Sequence, residues 1–132
     1  MITVSSLQCN KGWSKLYQPI IDKIIEFDSQ QENVKDKIGI AYIKEKDGVM
    51  KITLVQPHNA DSSIMDLIYE AENKSKSVCE YCGSETNVGI TMNNTYKTCC
   101  KTCWEKNIIP MQENSIWQDL TTRKLFKKNS NV

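Results

Sequence analysis

Cys79-Glu80-Tyr81-Cys82-Gly83, answered by Cys100-Lys101-Thr102-Cys103, is the stretch that decides how this chain folds. Two Cys-x-x-Cys pairs separated by 17 residues have the spacing of a four-cysteine zinc site. Each tight turn offers two thiolates to one side of an ion, and the two turns together close a tetrahedron of soft, negatively charged sulfur. Gly83 suits the knuckle, because the residue after the second cysteine often needs a positive φ, which glycine adopts cheaply. The expected ligands are Cys79, Cys82, Cys100 and Cys103, around one structural Zn2+. Four thiolates fill the shell and leave no open position to activate water, so the expected metal is structural and not catalytic. Iron–sulfur and dithiol redox chemistry use the same residue type but rank well behind zinc.

The residues around the two pairs extend this pattern. Val88–Met92 and Thr95–Thr98 flank Asn93-Asn94, a turn sequence, and predict a hairpin between the metal-binding halves. Trp104, Ile108 and Ile109 follow Cys103 at helical spacing until Pro110, so the second pair is expected at the start of a short helix. Knuckle, hairpin and helix make a treble-clef arrangement. Cys99 adjoins Cys100, but only Cys100–Cys103 keeps the two-residue gap, which leaves Cys99 as a small buried side chain.

Upstream, Trp13, Leu16, Tyr17, Ile20, Ile24 and Phe27, widened by Ile21 and Ile25, predict an amphipathic helix over 13–29. Pro19 should either delay its start to about Gln18 or bend it. Residues 1–11 read as extended. Ile38, Ile40 and Tyr42 on one face, Asp47-Gly48 as a turn, and Met50, Ile52 and Leu54 on the return predict an antiparallel hairpin packed on that helix. Asp61 or Ser62 then caps a helix whose buried face is Ile64, Met65, Ile68 and Ala71 and whose wet face is Asp66, Glu70 and Lys74. Beyond the cysteines, Ser115 and Gln118 resemble a capping box, and Ile116, Trp117, Leu120 and Leu125 predict a C-terminal helix over 115–127. The expected fold is α+β: helix, β-hairpin and helix, followed by a four-cysteine treble-clef zinc module and a C-terminal helix. The corresponding divisions are 1–76, 77–110 and a basic helical tail at 111–132.

Composition constrains function less. The chain has 132 residues, 39% apolar and 25% charged, with a formal net charge of +1. That balance gives no global field toward nucleic acid or an anionic membrane. Residues 1–96 carry a formal −3 and residues 97–132 a formal +4, a modest basic end that falls short of a dedicated DNA-binding surface. The opening residues have neither the basic nor the apolar part of a signal peptide, and no run nears the roughly 18 apolar residues of a membrane span. A reducing cytoplasm is therefore expected for the six cysteines.

An ordered set of short motifs resembles a group of small zinc-binding proteins common in bacteriophages and prophages. It runs from Cys9-Asn10-Lys11-Gly12-Trp13 through Val34-Lys35-Asp36-Lys37-Ile38-Gly39, Ala71-Glu72 and Ser75 to Cys79-Glu80-Tyr81-Cys82-Gly83 and Thr98, Cys100 and Cys103. The resemblance spans about residues 9–104 and departs from the pattern at Ile38 and Ile40, where larger or more polar residues are usual. In that group the place of Cys100 is the ligand and the place of Cys99 is apolar. It implies a phage gene product working in the cytoplasm of a bacterial host, and it implies no reaction.

Catalytic signals are thin. His58 is the only histidine and lies in a loop, where solvent exposure is the default. Treble-clef nucleases need a histidine in the hairpin between the metal-binding halves, and residues 84–98 hold none. No nucleophile–base pair, phosphate-binding glycine loop or carboxylate cluster stands out, so neither an enzyme nor a small-molecule substrate is expected. Cys9 reads as a packed thiol. Three aromatic–basic neighbourhoods could touch nucleic acid or a partner: Lys97 beside Tyr96, Lys101 with Trp104, and Lys124, Lys127 and Lys128 around Phe126; the plainer and favoured reading is that Tyr96 and Trp104 pack around the zinc knuckle and the lysines are solvated. The expected function is a non-catalytic, zinc-stabilised protein that binds a host protein, with nucleic-acid binding as the alternative and no membrane partner.

Overall fold

Pro19 neither delays nor breaks the first helix: α1 runs unbroken from Ser14 to Ser29, with Tyr17, Ile20 and Ile24 buried along one stripe. The computed structural model describes residues 7–93 and 95–128. Of the segment expected to be extended, Leu7–Gln8 forms a short strand, β1, while residues 1–6 lie outside the described residues. A single 3-10 turn over Lys11–Trp13 leads from it into α1.

β2 (Ile40–Lys46) and β3 (Val49–Leu54) form the expected antiparallel hairpin, and β1 adds to β2 in parallel, giving the order β1-β2-β3. One detail differs. A register irregularity between Ile40 and Tyr42 turns Ile43 into the core and leaves Tyr42 half-buried. An irregularity of one residue exchanges the two faces of the strand beyond it, and a period-two pattern cannot locate that exchange.

α2 (Ser62–Ser75) is capped by Asp61, whose carboxylate accepts the Ile64 N–H at 2.9 Å. It buries Ile64, Ile68 and Ala71 against α1 and β3, while Met65 is half-buried. It also covers the edge of β3: Ser75 Oγ accepts the Met50 N–H and Glu72 Oε2 the Ile52 N–H, both at 2.9 Å. Those backbone donors would otherwise be open to a foreign strand. Trp13, Ile24, Ile38, Met50 and Val78 are the fully buried centre of this first core.

The second half is built on β4 (Val88–Met92) and β5 (Thr98–Cys100), the hairpin between the cysteine pairs. Its return strand starts at Thr98, later than expected. α3 (Lys101–Cys103) follows directly and widens over Trp104–Ile108 into a turn closed by Ile109 N–H on the Trp104 carbonyl at 3.0 Å.

The C-terminal helix is not formed. Ile116–Asp119 is a strand, β6, paired antiparallel with β4, and Leu125–Lys127 is a further strand, β7, paired with β6. The second sheet therefore has the order β5-β4-β6-β7. Three features accompany the strands. Asp119 Oδ1 accepts the Thr121 and Thr122 N–H groups, and Arg123 takes a φ of 65°, which makes a tight turn where a helix would run. Ser115, expected as a cap, is instead buried and accepts the Trp104 indole N–H at 3.0 Å. Trp117 lies over Gly89, donates its indole N–H to the Cys99 carbonyl at 2.9 Å, and contacts Trp104 and Phe126 at centroid distances of 6.1 and 5.6 Å. The chain is thus a mixed α+β protein with two cores, one under each sheet.

Candidate metal centre

The four sulfurs of Cys79, Cys82, Cys100 and Cys103 lie within 4.8 Å of one another. A tetrahedral ion with bonds of about 2.3 Å to sulfur needs ligand sulfurs about 3.8 Å apart. The Cys82 and Cys100 sulfurs stand at 3.7 Å. The donor set therefore fits a thiophilic ion, and these four residues could hold one. Cys99, buried completely among the aromatic side chains, lies outside the group.

Backbone geometry sets the first pair. Gly83 N–H donates to the Cys79 carbonyl at 2.9 Å, and Gly83 takes a φ of 81°. Cys79 N–H donates to the Ser84 carbonyl at 2.8 Å and Glu80 N–H to Thr98 at 3.0 Å, tying the knuckle to β5. Cys100 and Cys103 bracket the start of α3. Among the four thiols, Cys82 is the exposed one. Its partial burial works to raise its pKa, but a backbone hydrogen bond from Ser84 and the neighbouring thiols outweigh this and place it below the usual value. Burial is the leading cause holding Cys100 and Cys103 above theirs. A cation at their centre would favour the thiolate form of all four.

Glu80, between the two ligands of the first pair, is almost fully buried. Its Oε2 accepts the Asn10 backbone N–H and side-chain amide, each at 3.1 Å. Its Oε1 lies 3.5 Å from Lys97 Nζ, which in turn donates to Glu45 Oε1 at 2.7 Å. Burial alone would lower the Lys97 pKa; the Glu45 and Glu80 carboxylates overcome this and raise it. The Asn10–Glu80–Lys97–Glu45 chain joins the N-terminal segment, the knuckle, the loop before β5 and the β2–β3 hairpin. Sequence reasoning missed it. The only signal was an acid inside a Cys-x-x-Cys pair, a position usually exposed.

The N-terminal motif docks on the same knuckle. Trp13 donates its indole N–H to the Val78 carbonyl at 2.9 Å, and Lys15 Nζ reaches the Gly83 carbonyl at 2.7 Å and Glu85 at 2.8 Å. A Cβ on Gly12 would overlap the Glu80 and Cys79 carbonyls, so only glycine allows the two backbones to meet. Cys9 is half-buried, as expected for a packed thiol, and burial together with Glu80 pushes its pKa up to about 11.

The residues expected to contact nucleic acid or a partner do not converge. Trp104 is only 2% exposed, in the aromatic core, and cannot stack on a base. Lys97 is engaged by Glu45 and Glu80. Trp104 thus packs beside the knuckle, as the plainer reading expects, while a contact role for Lys97 is corrected, because the Glu45 and Glu80 carboxylates hold its ammonium. Lys101 lies over the Phe126 ring at 4.3 Å. Lys128 is exposed and paired with Glu113 at 2.7 Å. Lys124 and Lys127 are exposed on and beside β7. His58 is an exposed loop residue, in keeping with its expected place. Among the described residues no helix is long and apolar enough to cross a membrane. Comparison with protein-family models, with curated proteins and with solved structures finds no match to this chain.

Proposed function

We propose that this is a non-catalytic protein of phage origin, built around one structural zinc ion in a treble-clef setting, that acts in the bacterial cytoplasm by binding a host protein. The observation that carries the reading is the closed thiolate set. Cys79, Cys82, Cys100 and Cys103 could together complete the shell of a four-coordinate ion, and hydrogen bonds at Cys79 and Gly83, the β4–β5 pairing at Cys100 and the start of α3 fix the backbone around them. Zinc fits an all-thiolate tetrahedron without redox chemistry. Such a centre supplies folding energy rather than reactivity.

The protein partner is favoured over nucleic acid by the disposition of charge. Of the basic residues expected at an interface, Lys97 and Lys128 are neutralised within the chain and Lys101 sits on an aromatic ring. What remains is a short basic margin at β7, too small for a phosphate track. The test is a pull-down from bacterial host lysate with the zinc-loaded protein, paired with salt-titrated binding to generic DNA and RNA. Recovery of a host protein with no salt-steep nucleic-acid binding supports the reading. Binding to generic DNA or RNA that falls steeply with salt replaces it with the nucleic-acid alternative.

A further inference from the structure

β7 is the last strand of its sheet, and its outer edge faces no strand among the described residues. The Asp119 N–H donates to the Lys124 carbonyl at 3.0 Å, which makes 119 and 124 a hydrogen-bonded pair at the turn. Antiparallel pairs alternate. Trp117 and Phe126 are therefore the next bonded pair, and Leu125 and Lys127 turn their N–H and C=O groups away from β6, toward the open edge. The edge of β3 is closed by Ser75 and Glu72; this one has no such cover among the described residues.

The face of the sheet beside that edge is apolar. Residues opposite one another share a face, so Ile90, Gln118 and Leu125 form one row and Met92, Ile116 and Lys127 the next. Ile90, Met92 and Ile116 are half-buried and Leu125 is 57% exposed. Charge decides the occupant. Arg123 and Lys124 precede the strand and Lys127 ends it, all three exposed, while Lys128 just beyond is paired with Glu113. A second copy pairing antiparallel through Phe126 would bring a second Arg123, Lys124 and Lys127 to the same short edge, and like charges brought together destabilise a sheet.

We propose that the β7 edge takes an acidic, extended segment of a partner protein as a fifth strand. Its backbone meets the outward N–H and C=O groups of Leu125 and Lys127. Its alternate apolar side chains prolong the Ile90–Gln118–Leu125 row, and its acidic ones meet the lysines. This rests on the protein-partner reading above and names the chemistry of that partner.

The probe is a fluorophore-labelled alternating Glu–Val octapeptide, titrated into the zinc-loaded protein beside an alternating Lys–Val octapeptide and a short oligothymidine. Lys127→Pro removes one outward donor while leaving the β6 ladder its bonds. Lys127→Gln removes the charge alone. Circular dichroism and zinc content verify that both variants are folded. The acidic peptide should bind, and Lys127→Pro should weaken it about tenfold relative to Lys127→Gln, the net effect of one hydrogen bond. Three results overturn the proposal: no binding of the acidic peptide, equal binding by Lys127→Pro and Lys127→Gln, or oligothymidine binding more tightly than the peptide. A host protein captured equally well by Lys127→Pro would sink the edge assignment and leave the protein-partner reading standing. Failure of every host protein to bind wild type would remove both.

Discussion

Gly12 and Glu80 meet backbone to backbone, so closely that a methyl group on Gly12 would overlap the Glu80 carbonyl. The contact joins the entrance of α1 to the middle of the first cysteine pair. Around it lie the Asn10–Glu80 hydrogen bonds, the Trp13 bond to Val78 and the Lys15 bond to Gly83. The contacts that seat the start of α1 are therefore shared with the first cysteine pair. Gly83 takes part from the other side, since a Cβ there would stand 2.9 Å from the Gly12 carbonyl oxygen.

Substituting Gly12 tests that junction. The obstruction is backbone held by two cysteine ligands and cannot step aside. Gly12→Ala should cost about 3 kcal/mol, the upper end of ordinary overpacking. In a chain of this size that lowers the melting temperature by roughly 10 °C. Lys11→Ala, at an exposed neighbour, should leave it within a degree or two of wild type. Equal melting temperatures for the two variants in a thermal scan would show that the close approach does not matter.

Metal removal should reach beyond the module. Structural zinc sites carry about 10–16 kcal/mol of apparent binding energy, as much as the whole net stability of a domain, about 5–15 kcal/mol. A chelator should erase the near-ultraviolet signal of the stacked Trp104–Trp117 pair. Because Trp13 hangs on the Val78 carbonyl beside Cys79, its fluorescence should redden in the same transition. Trp13 emission unchanged after full zinc loss would mean that the two cores fold separately.

Acid should loosen the clasp from a different point. Glu85 bridges Lys15 on α1 and Lys74 on α2, each at 2.8 Å, and hydrogen bonds from those two ammonium groups bring its pKa from 4.5 to about 2. A carboxyl group with a depressed folded-state pKa stabilises the fold above its unfolded value, and loses that contribution as pH falls through the folded one. The contribution is whole above pH 4.5 and disappears between there and about 2. Glu85→Gln should flatten this part of the stability–pH curve in urea titrations; a curve that parallels wild type would count against the bridge.

Cys9 should be a slow thiol despite its place beside the metal knuckle. With its pKa near 11 instead of 9, it holds about one-hundredth of the usual thiolate at pH 8. The greater intrinsic nucleophilicity of a more basic thiolate recovers part of this, leaving it about tenfold slower than a free cysteine. Iodoacetamide labelling of the zinc-loaded protein, followed by peptide mapping, measures the rate. Labelling as fast as glutathione would place Cys9 in solvent.

The legibility of the fold follows the range of the forces involved. Helices α1 and α2 and the β2–β3 hairpin are set by local periodicity, a cap at Asp61 and the Asp47-Gly48 turn, all visible in the sequence. The grouping of the four cysteines was legible because two Cys-x-x-Cys pairs have the spacing of a metal site. What failed depends on contacts distant in sequence. Ile116, Trp117 and Leu120 fit a helical stripe as well as a strand, and only the free edge of β4 decides between them. The cover of Trp104 was not visible because Ser115 and Trp117, which supply it, come from the tail. The role of Glu80 was not visible because its partners, Asn10 and Lys97, lie far away in the chain.

Truncation turns that difference into a measurement. A helical appendage could be removed with little harm, whereas the docked strands cannot. A chain ending at Asn114 loses Trp117, whose burial is worth about 3–5 kcal/mol. It also uncovers Trp104, which loses its stacking on Trp117 and part of its own burial, while its indole N–H exchanges Ser115 for water. Together these match the net stability of a small domain, so the shortened chain should be insoluble or should bind zinc without a cooperative melt. Trp117→Ala in the full chain should give a milder version of the same defect, with the β4–β6 ladder still present to hold the tail. A soluble, zinc-bound, cooperatively melting chain ending at Asn114 would mean that the second core closes without β6, and that the strand pairing seen here adds little to it.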